Sequence, residues 1–215
     1  MKLSSEISIA VSKGRIFDEF ITLLKKIKVD LKNSNDLNSR KLILQTSIKK
    51  LSLVIVRATD VPTFVYNGAV DFGVVGMDTL VENDELDFYT PLDLKISKCR
   101  MILAANDKNK KILSSSIIAT KYVKAAQQYL KKNGKQAQII KLYGSMELAP
   151  ILGMSDFIVD LVDTGQTLKE NGLIEIENLF DVSSHMIVNK SSMKLKHDDV
   201  WCIINELENI IQAKK

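Results

Sequence analysis

The sequence is poor in cysteine and contains no long apolar run. The two cysteines, Cys99 and Cys202, stand far apart and lack the spacing of metal ligands. We therefore expect two buried thiols in a reducing compartment, and so a cytoplasmic protein. No apolar stretch is long enough to cross a membrane, and the interrupted start of the chain does not match a signal peptide. No membrane association is expected.

Arginine is also scarce, because lysine carries most of the positive charge. Of the 30 basic residues only four are arginine, namely Arg15, Arg40, Arg57 and Arg100. A guanidinium offers a planar fork of donors that suits phosphate and that lysine cannot reproduce, so each arginine needs an explanation. The net charge is only +4 and the basic residues are scattered. The chain therefore lacks the basic stripe of a nucleic-acid-binding protein, and nucleic acid is not an expected partner.

Short strand patterns alternate with helical patterns along the whole chain, which predicts an α/β fold. With 46% hydrophobic residues, the chain can bury a sizeable core. No linker rich in glycine or serine separates the two strand-rich halves, so we predict two lobes joined by crossing strands. The first lobe is predicted to contain residues 1–92 and 180–215, including a terminal helix that packs back on it, and the second residues 93–179. A ligand would then lie in a cleft between the lobes.

The segment 156–173 ends an apolar run abruptly and continues into a short helical pattern. A strand is predicted to end at Val162, and residues 163–167 are expected to begin a helix, where the first backbone N–H groups have no intrahelical partners. An anion placed there would gain from those donors and from the hydroxyls of Thr164 and Thr167, while the glycine between them lets the backbone come close. The same pattern is equally typical of an ordinary capped turn.

Asp160 lies inside the apolar strand that precedes this turn. A buried acid needs a partner such as a ribose hydroxyl or a cation, so Asp160 favours the ligand site over the plain turn. The two histidines give no comparable signal. His185 falls in a strand pattern and His197 in a charged loop, and neither has a serine or cysteine at the spacing of a catalytic pair. No metal cluster is recognisable in the sequence.

Two further places at predicted strand ends carry candidate ligand-binding residues. Lys13 and Arg15 flank Gly14 directly after the first strand, and such a basic turn fits a phosphate or pyrophosphate, although an ordinary solvated turn has the same composition. Arg57 and Asp78 each follow another strand, so both are expected at the same edge of the sheet. Between them we expect a helix with Pro62 in its first turn, capped by Thr59 or Asp60.

Taken together, these segments resemble the ATP phosphoribosyltransferase family, whose members open histidine biosynthesis. The resemblance spans nearly the whole chain and rests, in order, on SKGR, SRKL, VRATDVPTFVYNGAVDFGVVGMDTL and GSMELAPILGMSDFIVDLVDTGQTLKENGL. Its most specific part contains Glu147, Gly153, Asp160 and the run from Thr164 to Leu168. The chain length matches the short form of the family, which lacks the C-terminal regulatory domain of the long form.

The resemblance implies a two-lobed fold like that of type II periplasmic binding proteins, with the active site in the cleft between the lobes. It also implies a reaction in which N1 of the adenine of ATP attacks the anomeric carbon of 5-phosphoribosyl 1-pyrophosphate. Pyrophosphate leaves, and phosphoribosyl-ATP is formed. Magnesium is expected to be carried by the pyrophosphate and not by protein side chains alone. This chemistry needs no nucleophile from the enzyme, only preorganised donors and cations.

The resemblance also implies roles for individual residues. The 5-phosphate of the donor would be bound by Thr164, Gly165, Gln166 and Thr167, and its ribose by Asp160 and Asp163. Lys13, Gly14 and Arg15 would lie by the triphosphate or pyrophosphate, and Arg40 and Arg57 by the nucleotide and the leaving group. Arg15, Arg40 and Arg57 are expected to act in catalysis, and Asp78 and Glu147 to complete the substrate-binding set. Arg100 lies outside the matched motifs, and we expect a structural ion pair there.

Two positions depart from the family pattern. Ser12 replaces a proline that is usual in the family, and Asp163 occupies a position that is variable in the family.

The resemblance further implies a partner, a histidyl-tRNA-synthetase-like regulatory subunit, in a hetero-octamer that contains homodimers of this chain. The main alternative is a solute-binding or effector-sensing module with the same fold. That alternative predicts a secretion signal or a fused DNA-binding domain, and it does not explain three arginines in the matched motifs.

Overall fold

The computed structural model describes residues 2–33 and 40–213, and it divides into two compact units. The first unit comprises residues 1–97 and 183–215, and the second comprises residues 98–182. The sequence predicted boundaries after residue 92 and before residue 180. These positions lie within two continuous strands, Tyr89–Asp93 and Ile174–Val182. The motif SRKL begins at Ser39, which lies outside the described residues.

Elements are numbered in chain order. The strands are β1 (Ile7–Val11), β2 (Ile43–Gln45), β3 (Leu51–Ile55), β4 (Phe72–Gly76), β5 (Tyr89–Asp93), β6 (Cys99–Ala105), β7 (Ile117–Thr120), β8 (Gln138–Lys141), β9 (Phe157–Val162), β10 (Ile174–Val182) and β11 (Ser184–Val188). The helices are α1 (Arg15–Lys26), α2 (Val61–Tyr66), α3 (Met77–Glu82), α4 (Val123–Lys132), α5 (Leu148–Ile151), α6 (Gln166–Glu170), α7 (Lys190–Leu195) and α8 (His197–Gln212). The α/β class predicted from the alternating patterns is confirmed.

The first unit is built on a six-stranded sheet in the order β2-β3-β1-β4-β11-β5. Strand β1 pairs in parallel with β3 on one side and with β4 on the other. Both faces of β1 are buried, because Ile9 and Val11 belong to one apolar cluster and Ala10 to another. This double burial explains why these strands read as continuous apolar runs. Parallel pairing also brings the carboxyl ends of three strands to one edge of the sheet.

The terminal helix α8 packs on this unit, as the sequence predicted. Its apolar face, including Ile203 and Leu207, joins the same cluster as Phe20 and Leu24 of α1. Both helices place apolar residues at helical spacing on one side, so the hydrophobic effect fixes them against the sheet. Among the described residues, no helix combines the length and the apolar character that crossing a membrane requires.

The second unit contains a five-stranded sheet in the order β10-β6-β9-β7-β8. Strand β7 pairs in parallel with β8 and β9, whereas β6 runs antiparallel to β9 and β10. One face is covered by a cluster that includes Ile158 of β9 and Leu168 of α6. The apolar side of α6 therefore holds the turn between β9 and α6 against the sheet.

Two local predictions are wrong. Helix α2 has Pro62 in its first turn as predicted, but Asp60 makes no side-chain capping bond. A 3₁₀ turn runs directly into the helix, so Asp60 has helical backbone angles, whereas a capping side chain normally requires an extended backbone. Cys99 and Cys202 are both thiols outside any disulfide, and both are only partly buried, not enclosed as predicted.

Asp199 on α8 holds the N-terminal segment in place through hydrogen bonds. Its carboxylate accepts hydrogen bonds from the backbone N–H of Ser4 at 2.9 Å, from the Ser4 hydroxyl at 2.7 Å and from the backbone N–H of Ser5 at 2.7 Å. Burial alone would raise the pKa of Asp199, but these hydrogen bonds outweigh it and hold the pKa below its usual value. The ionised form is therefore stabilised in the folded state.

We expect Asp199→Ala to lower the free energy of unfolding at pH 7 by about 1–3 kcal/mol, because three hydrogen bonds to a buried carboxylate are lost. A carboxyl whose pKa is lowered on folding stabilises the protein above its unfolded-state pKa, and this stabilisation is lost as the pH falls through the lowered value. The difference between variant and parent should therefore shrink in acid. Denaturant titrations from pH 7 downwards measure it. The exposed neighbour Asp198 provides the control. If Asp198→Ala lowers the free energy of unfolding by as much, the hydrogen bonds to Ser4 and Ser5 are not the cause of the loss.

Candidate active site

The turn between β9 and α6 has the geometry that the sequence predicts for an anion-binding turn. Strand β9 ends at Val162, and α6 begins at Gln166, with Gly165 as the N-cap residue. Gly165 has φ +80° and ψ 4°, a left-handed conformation that glycine adopts without steric cost. The chain therefore turns sharply, and the first N–H groups of the helix follow at once.

A pocket of about 260 Å³ lies at this turn, within the second unit. It is lined by Glu147, Asp160, Leu161, Val162, Asp163, Thr164, Gly165, Gln166, Thr167 and Leu168. The structure thus brings together all the second-unit residues that the sequence nominated for substrate binding. The lining combines carboxylates, hydroxyls and backbone amides, which suits a ligand that carries both an anionic group and sugar hydroxyls.

The alternative of a plain capped turn is only weakly supported. The Thr164 hydroxyl accepts a hydrogen bond from the backbone N–H of Gln166 at 3.4 Å, near the long limit for such a bond. The N-cap residue is Gly165, which has no side chain to cap with. The Gln166 side-chain amide donates to Glu170 at 2.8 Å. Its side chain is thus engaged along the helix in this structure.

Asp160 is the residue of this pocket with the strongest electrostatic signature. Burial, with a smaller contribution from the nearby charge of Glu147, raises the pKa of Asp160 from its usual value of 3.8 to about 6. Opposing these effects, the backbone N–H of Leu161 donates to Asp160 Oδ1 at 2.8 Å, and Lys121 contributes an opposite charge. A charge kept at an unfavourable position is typical of a functional site.

Lys121 is a residue that the sequence interpretation missed. It follows Thr120, the last residue of β7, which pairs in parallel with Val159 of β9. This register places Lys121 beside Asp160 at the carboxyl edge of the second sheet. The signal was available, because a lysine directly after an apolar strand occupies the edge at which α/β folds bind ligands.

The first-unit candidates gather at one edge of the first sheet. Lys13 and Arg15 follow β1, Arg57 follows β3 and Asp78 follows β4. The parallel pairing of β1 with β3 and β4 brings these strand ends side by side. The convergence predicted for Arg57 and Asp78 is therefore present in the backbone.

Arg40 reaches the same edge by a different route. Strand β2 is antiparallel to β3, so the start of β2 lies beside the end of β3. The backbone N–H of Ile55 donates to the carbonyl oxygen of Leu42 at 2.7 Å. Arg40 precedes Leu42 by two positions, and Arg57 follows Ile55 by two. Both side chains are exposed, and no such proximity could be derived from sequence separation alone.

Gly14 makes the basic turn after β1 possible. Its backbone has φ +105° and ψ −155°, a combination that is essentially restricted to glycine. Lys13 and Arg15 on either side are exposed, and the Arg15 Nε lies 3.6 Å from Glu19 Oε1. Asp78, which is partly buried, accepts a long hydrogen bond from the Thr79 hydroxyl at 3.4 Å.

We expect Gly14→Ala to lower the free energy of unfolding by about 1–3 kcal/mol through backbone strain alone. An added Cβ would meet no atom within 4 Å, so steric contact is not the reason. Gly144 is the matched control, since a Cβ there also meets open space and its φ is not positive. Denaturant titration of both variants measures the effect. Equal stability of Gly14→Ala and Gly144→Ala would contradict the strain argument.

Three other nominated side chains have structural roles or none. Arg100 forms an ion pair with Glu175, with Nη2 and Oε2 2.8 Å apart, which confirms the structural pair expected from the sequence. The His185 ring lies on β11 with Nδ1 3.2 Å from the carbonyl oxygen of Ser183, and His197 is exposed. Within residues 2–33 and 40–213, no three His, Cys, Asp or Glu side chains are grouped so as to hold a metal ion.

The fold belongs to the class of type II periplasmic-binding-protein-like folds. The chain is similar to the periplasmic aliphatic sulphonate binding protein of Escherichia coli, with a TM-score of 0.61, 15% identity and coverage of 96% of this chain and 68% of that one. It is also similar to a putative L-cystine ABC transporter of Listeria monocytogenes, with a TM-score of 0.60 and 10% identity over 97% and 89% of the two chains. At such low identity, the likeness concerns the fold alone.

Residues 57–212 match the family model of ATP phosphoribosyltransferase. ATP phosphoribosyltransferase 2 of Geobacter sulfurreducens is 46% identical over 213 residues, which cover 96% of this chain and 99% of the relative. Among solved structures, the ATP phosphoribosyl transferase (HisG:HisZ) complex of Thermotoga maritima gives a TM-score of 0.81 at 34% identity, over 96% of this chain and 99% of that one. The chain belongs to the ATP phosphoribosyltransferase family.

Proposed function

We propose that this chain is a short-form ATP phosphoribosyltransferase, which condenses ATP with 5-phosphoribosyl 1-pyrophosphate. The products are phosphoribosyl-ATP and pyrophosphate, in the first step of histidine biosynthesis. The observation that carries the proposal is the 46% identity to a curated ATP phosphoribosyltransferase along nearly the whole of both chains. The pocket between β9 and α6 supports it, because its donors and acceptors match a phosphorylated sugar.

In this proposal the second-unit pocket binds the phosphoribosyl group. The backbone of Gly165 and the hydroxyls of Thr164 and Thr167 bind the 5-phosphate, together with the first amides of α6. Asp160 accepts hydrogen bonds from the ribose hydroxyls, with Asp163 at the exposed side. Positive character develops on the ribose as pyrophosphate leaves, and ionised carboxylates beside the ring stabilise that charge.

The basic edge of the first sheet binds the phosphate chains. Lys13, Arg15 and the backbone of Gly14 bind the triphosphate or the pyrophosphate, whereas Arg40 and Arg57 act on the nucleotide and the leaving group. Negative charge accumulates on the leaving pyrophosphate, and guanidinium groups stabilise it with paired hydrogen bonds. Asp78, at the same edge, offers an acceptor for a substrate hydroxyl or amine.

Magnesium belongs to the proposal as an ion bound to the pyrophosphate. Mg²⁺ usually keeps several waters and binds through one or two carboxylates together with substrate phosphates. Glu147 and Asp160 line one pocket, and the charge of Glu147 raises the pKa of Asp160, so a cation there would relieve their repulsion. These two carboxylates would complete the coordination, and the ion would neutralise charge on the leaving group.

The proposed assembly includes a histidyl-tRNA-synthetase-like regulatory subunit, with homodimers of this chain in a hetero-octamer. The solved complex of Thermotoga maritima, at 34% identity, supports a second type of subunit. The two cysteine thiols support a cytoplasmic location, since thiols persist in a reducing compartment.

The test is to incubate the purified chain with ATP, 5-phosphoribosyl 1-pyrophosphate and magnesium, with and without the regulatory subunit. We expect a new adenine chromophore and stoichiometric release of pyrophosphate. Omitting magnesium should abolish both signals. If neither signal appears under any condition while the phosphoribosyl donor still binds, the solute-binding alternative is favoured.

A further inference from the structure

Glu19 lies on α1, four positions after Arg15, and its two carboxylate oxygens make different contacts. Oε2 accepts a hydrogen bond from the backbone N–H of Ser97 at 2.8 Å. Oε1 lies 3.6 Å from Nε of Arg15. One side chain therefore connects the backbone between β5 and β6 to a guanidinium of the basic edge.

The backbone that Glu19 contacts is firmly held. Ser97 is only 8% exposed and has φ +50°, and Lys95 two positions earlier has φ +57°. Residues other than glycine rarely adopt this conformation, and they keep it only where the surroundings hold it in place. Here the Ile96 side chain is buried in the main cluster, and its carbonyl oxygen accepts a hydrogen bond from Ser184 at 3.0 Å. The N–H group of Ser97 therefore points in a fixed direction and fixes the Glu19 carboxylate.

The ion pair with Arg15 contributes little to the stability of α1. Both side chains are more than a third exposed, and exposed pairs of this kind have small effects. The order is also the less favourable one on a helix, because the acidic residue follows the basic one. The main effect of the contact is therefore on the orientation of the Arg15 guanidinium and not on the stability of α1.

We propose that Glu19 is a positioning residue, which orients Arg15 for binding the phosphate groups of the substrate. The inference rests on the proposed function of Arg15. An arginine side chain has many rotamers, and ordering it before binding removes part of the entropy cost of binding. The contact involves Nε. A guanidinium whose position is held can form paired hydrogen bonds with two phosphate oxygens.

The experiment compares Glu19→Gln, Arg15→Ala and the double variant with the parent protein. A glutamine oxygen can still accept from Ser97, but it lacks the charge that holds the guanidinium, so the melting temperature should not change. We expect kcat/KM of Glu19→Gln to fall roughly two- to fivefold, because an exposed ion pair of this kind can bias the position of the Arg15 guanidinium by at most about 1 kcal/mol. Binding of inorganic pyrophosphate, measured by calorimetry, should weaken as well. Asp18→Asn, an exposed acid on the same turn, is the matched control and should behave like the parent.

The double variant separates positioning from an independent role. If Glu19 acts through Arg15, Glu19→Gln should cause no further loss in the Arg15→Ala background. Losses that multiply, parent-like kinetics of Glu19→Gln, or an effect equalled by Asp18→Asn would each overturn the inference. The proposed function fails separately, if the parent protein forms no product. In that case the role of Glu19 is tested by comparing pyrophosphate binding among the same variants. If the parent protein does not bind pyrophosphate, both the proposed function and the role of Glu19 are overturned.

Discussion

Asp160→Asn should yield a protein that is more stable at neutral pH and nearly inactive. Burial raises the pKa of Asp160 to about 6 from 3.8, so the folded state at pH 8 retains a charge that it disfavours. Each pKa unit corresponds to about 1.4 kcal/mol, so the neutral amide should add up to about 3 kcal/mol to the free energy of unfolding. The variant should lose turnover by roughly 10²-fold, because an amide offers one acceptor and no charge to the ribose.

The stabilisation by Asp160→Asn should depend on pH in a defined direction. A carboxyl whose pKa is raised on folding contributes stability below its unfolded-state pKa, and that contribution is lost as the pH rises through the folded-state value. The gain of Asp160→Asn should therefore be largest above about pH 6 and absent below pH 3.8. Denaturant titrations across this range, combined with rate measurements at saturating substrate, provide the comparison.

Asp163 supplies the control for Asp160. It lies three positions later in the same pocket but is exposed, so its carboxylate keeps its hydration and Asp163→Asn should not stabilise the protein. A stabilised Asp160→Asn variant with the turnover of the parent would remove Asp160 from the chemistry. A variant that is inactive but not stabilised would show that burial does not disfavour the charge.

Arg57→Ala should fold like the parent and turn over two to three orders of magnitude more slowly, since it loses one preorganised cation beside the leaving group. The side chain is exposed and makes no capping bond at the 3₁₀ turn that follows it, so the fold loses little. Steady-state rates and a thermal melt test the two parts separately.

Arg100→Ala is the matched control for Arg57→Ala. It removes the ion pair with Glu175, in which both side chains are substantially exposed, and should cost at most about 1 kcal/mol of stability. Its turnover should equal that of the parent. If Arg57→Ala retains the parent rate, or if Arg100→Ala is equally slow, arginine at position 57 has no special part in the reaction.

Much of the fold could be predicted from the sequence, because short continuous apolar runs indicate strands that are buried on both faces. Strands β1, β4 and β9 appear where the pattern places them, and α8 packs where its apolar face requires. The interpretation missed strand β5, whose residues are mostly exposed or only partly buried, and the short helices α3, α5 and α7. Helices of four to six residues show less than two turns of periodicity, so their positions depend on tertiary contacts.

The candidate site was predictable in its composition but not in its electrostatics. The motif between β9 and α6 nominates Asp160 and Thr164 directly from sequence order. The effect of Lys121 and Glu147 on the pKa of Asp160 depends on the pairing of β7 with β9 and on the pocket that results. In the same way, Arg40 joins Arg57 only through an antiparallel pairing. Such proximities are set by the register of strands, which local patterns do not specify.

The first unit uses both ends of the chain, and this has a consequence for biosynthesis. Strand β11, which lies between β4 and β5, comes from residues 183–215, after the entire second unit. A ribosome therefore releases every strand of the second sheet before the first sheet can close. Until then β4 and β5 have unpaired edges, which are prone to associate with other chains. These edges are covered only after β11 has left the ribosome.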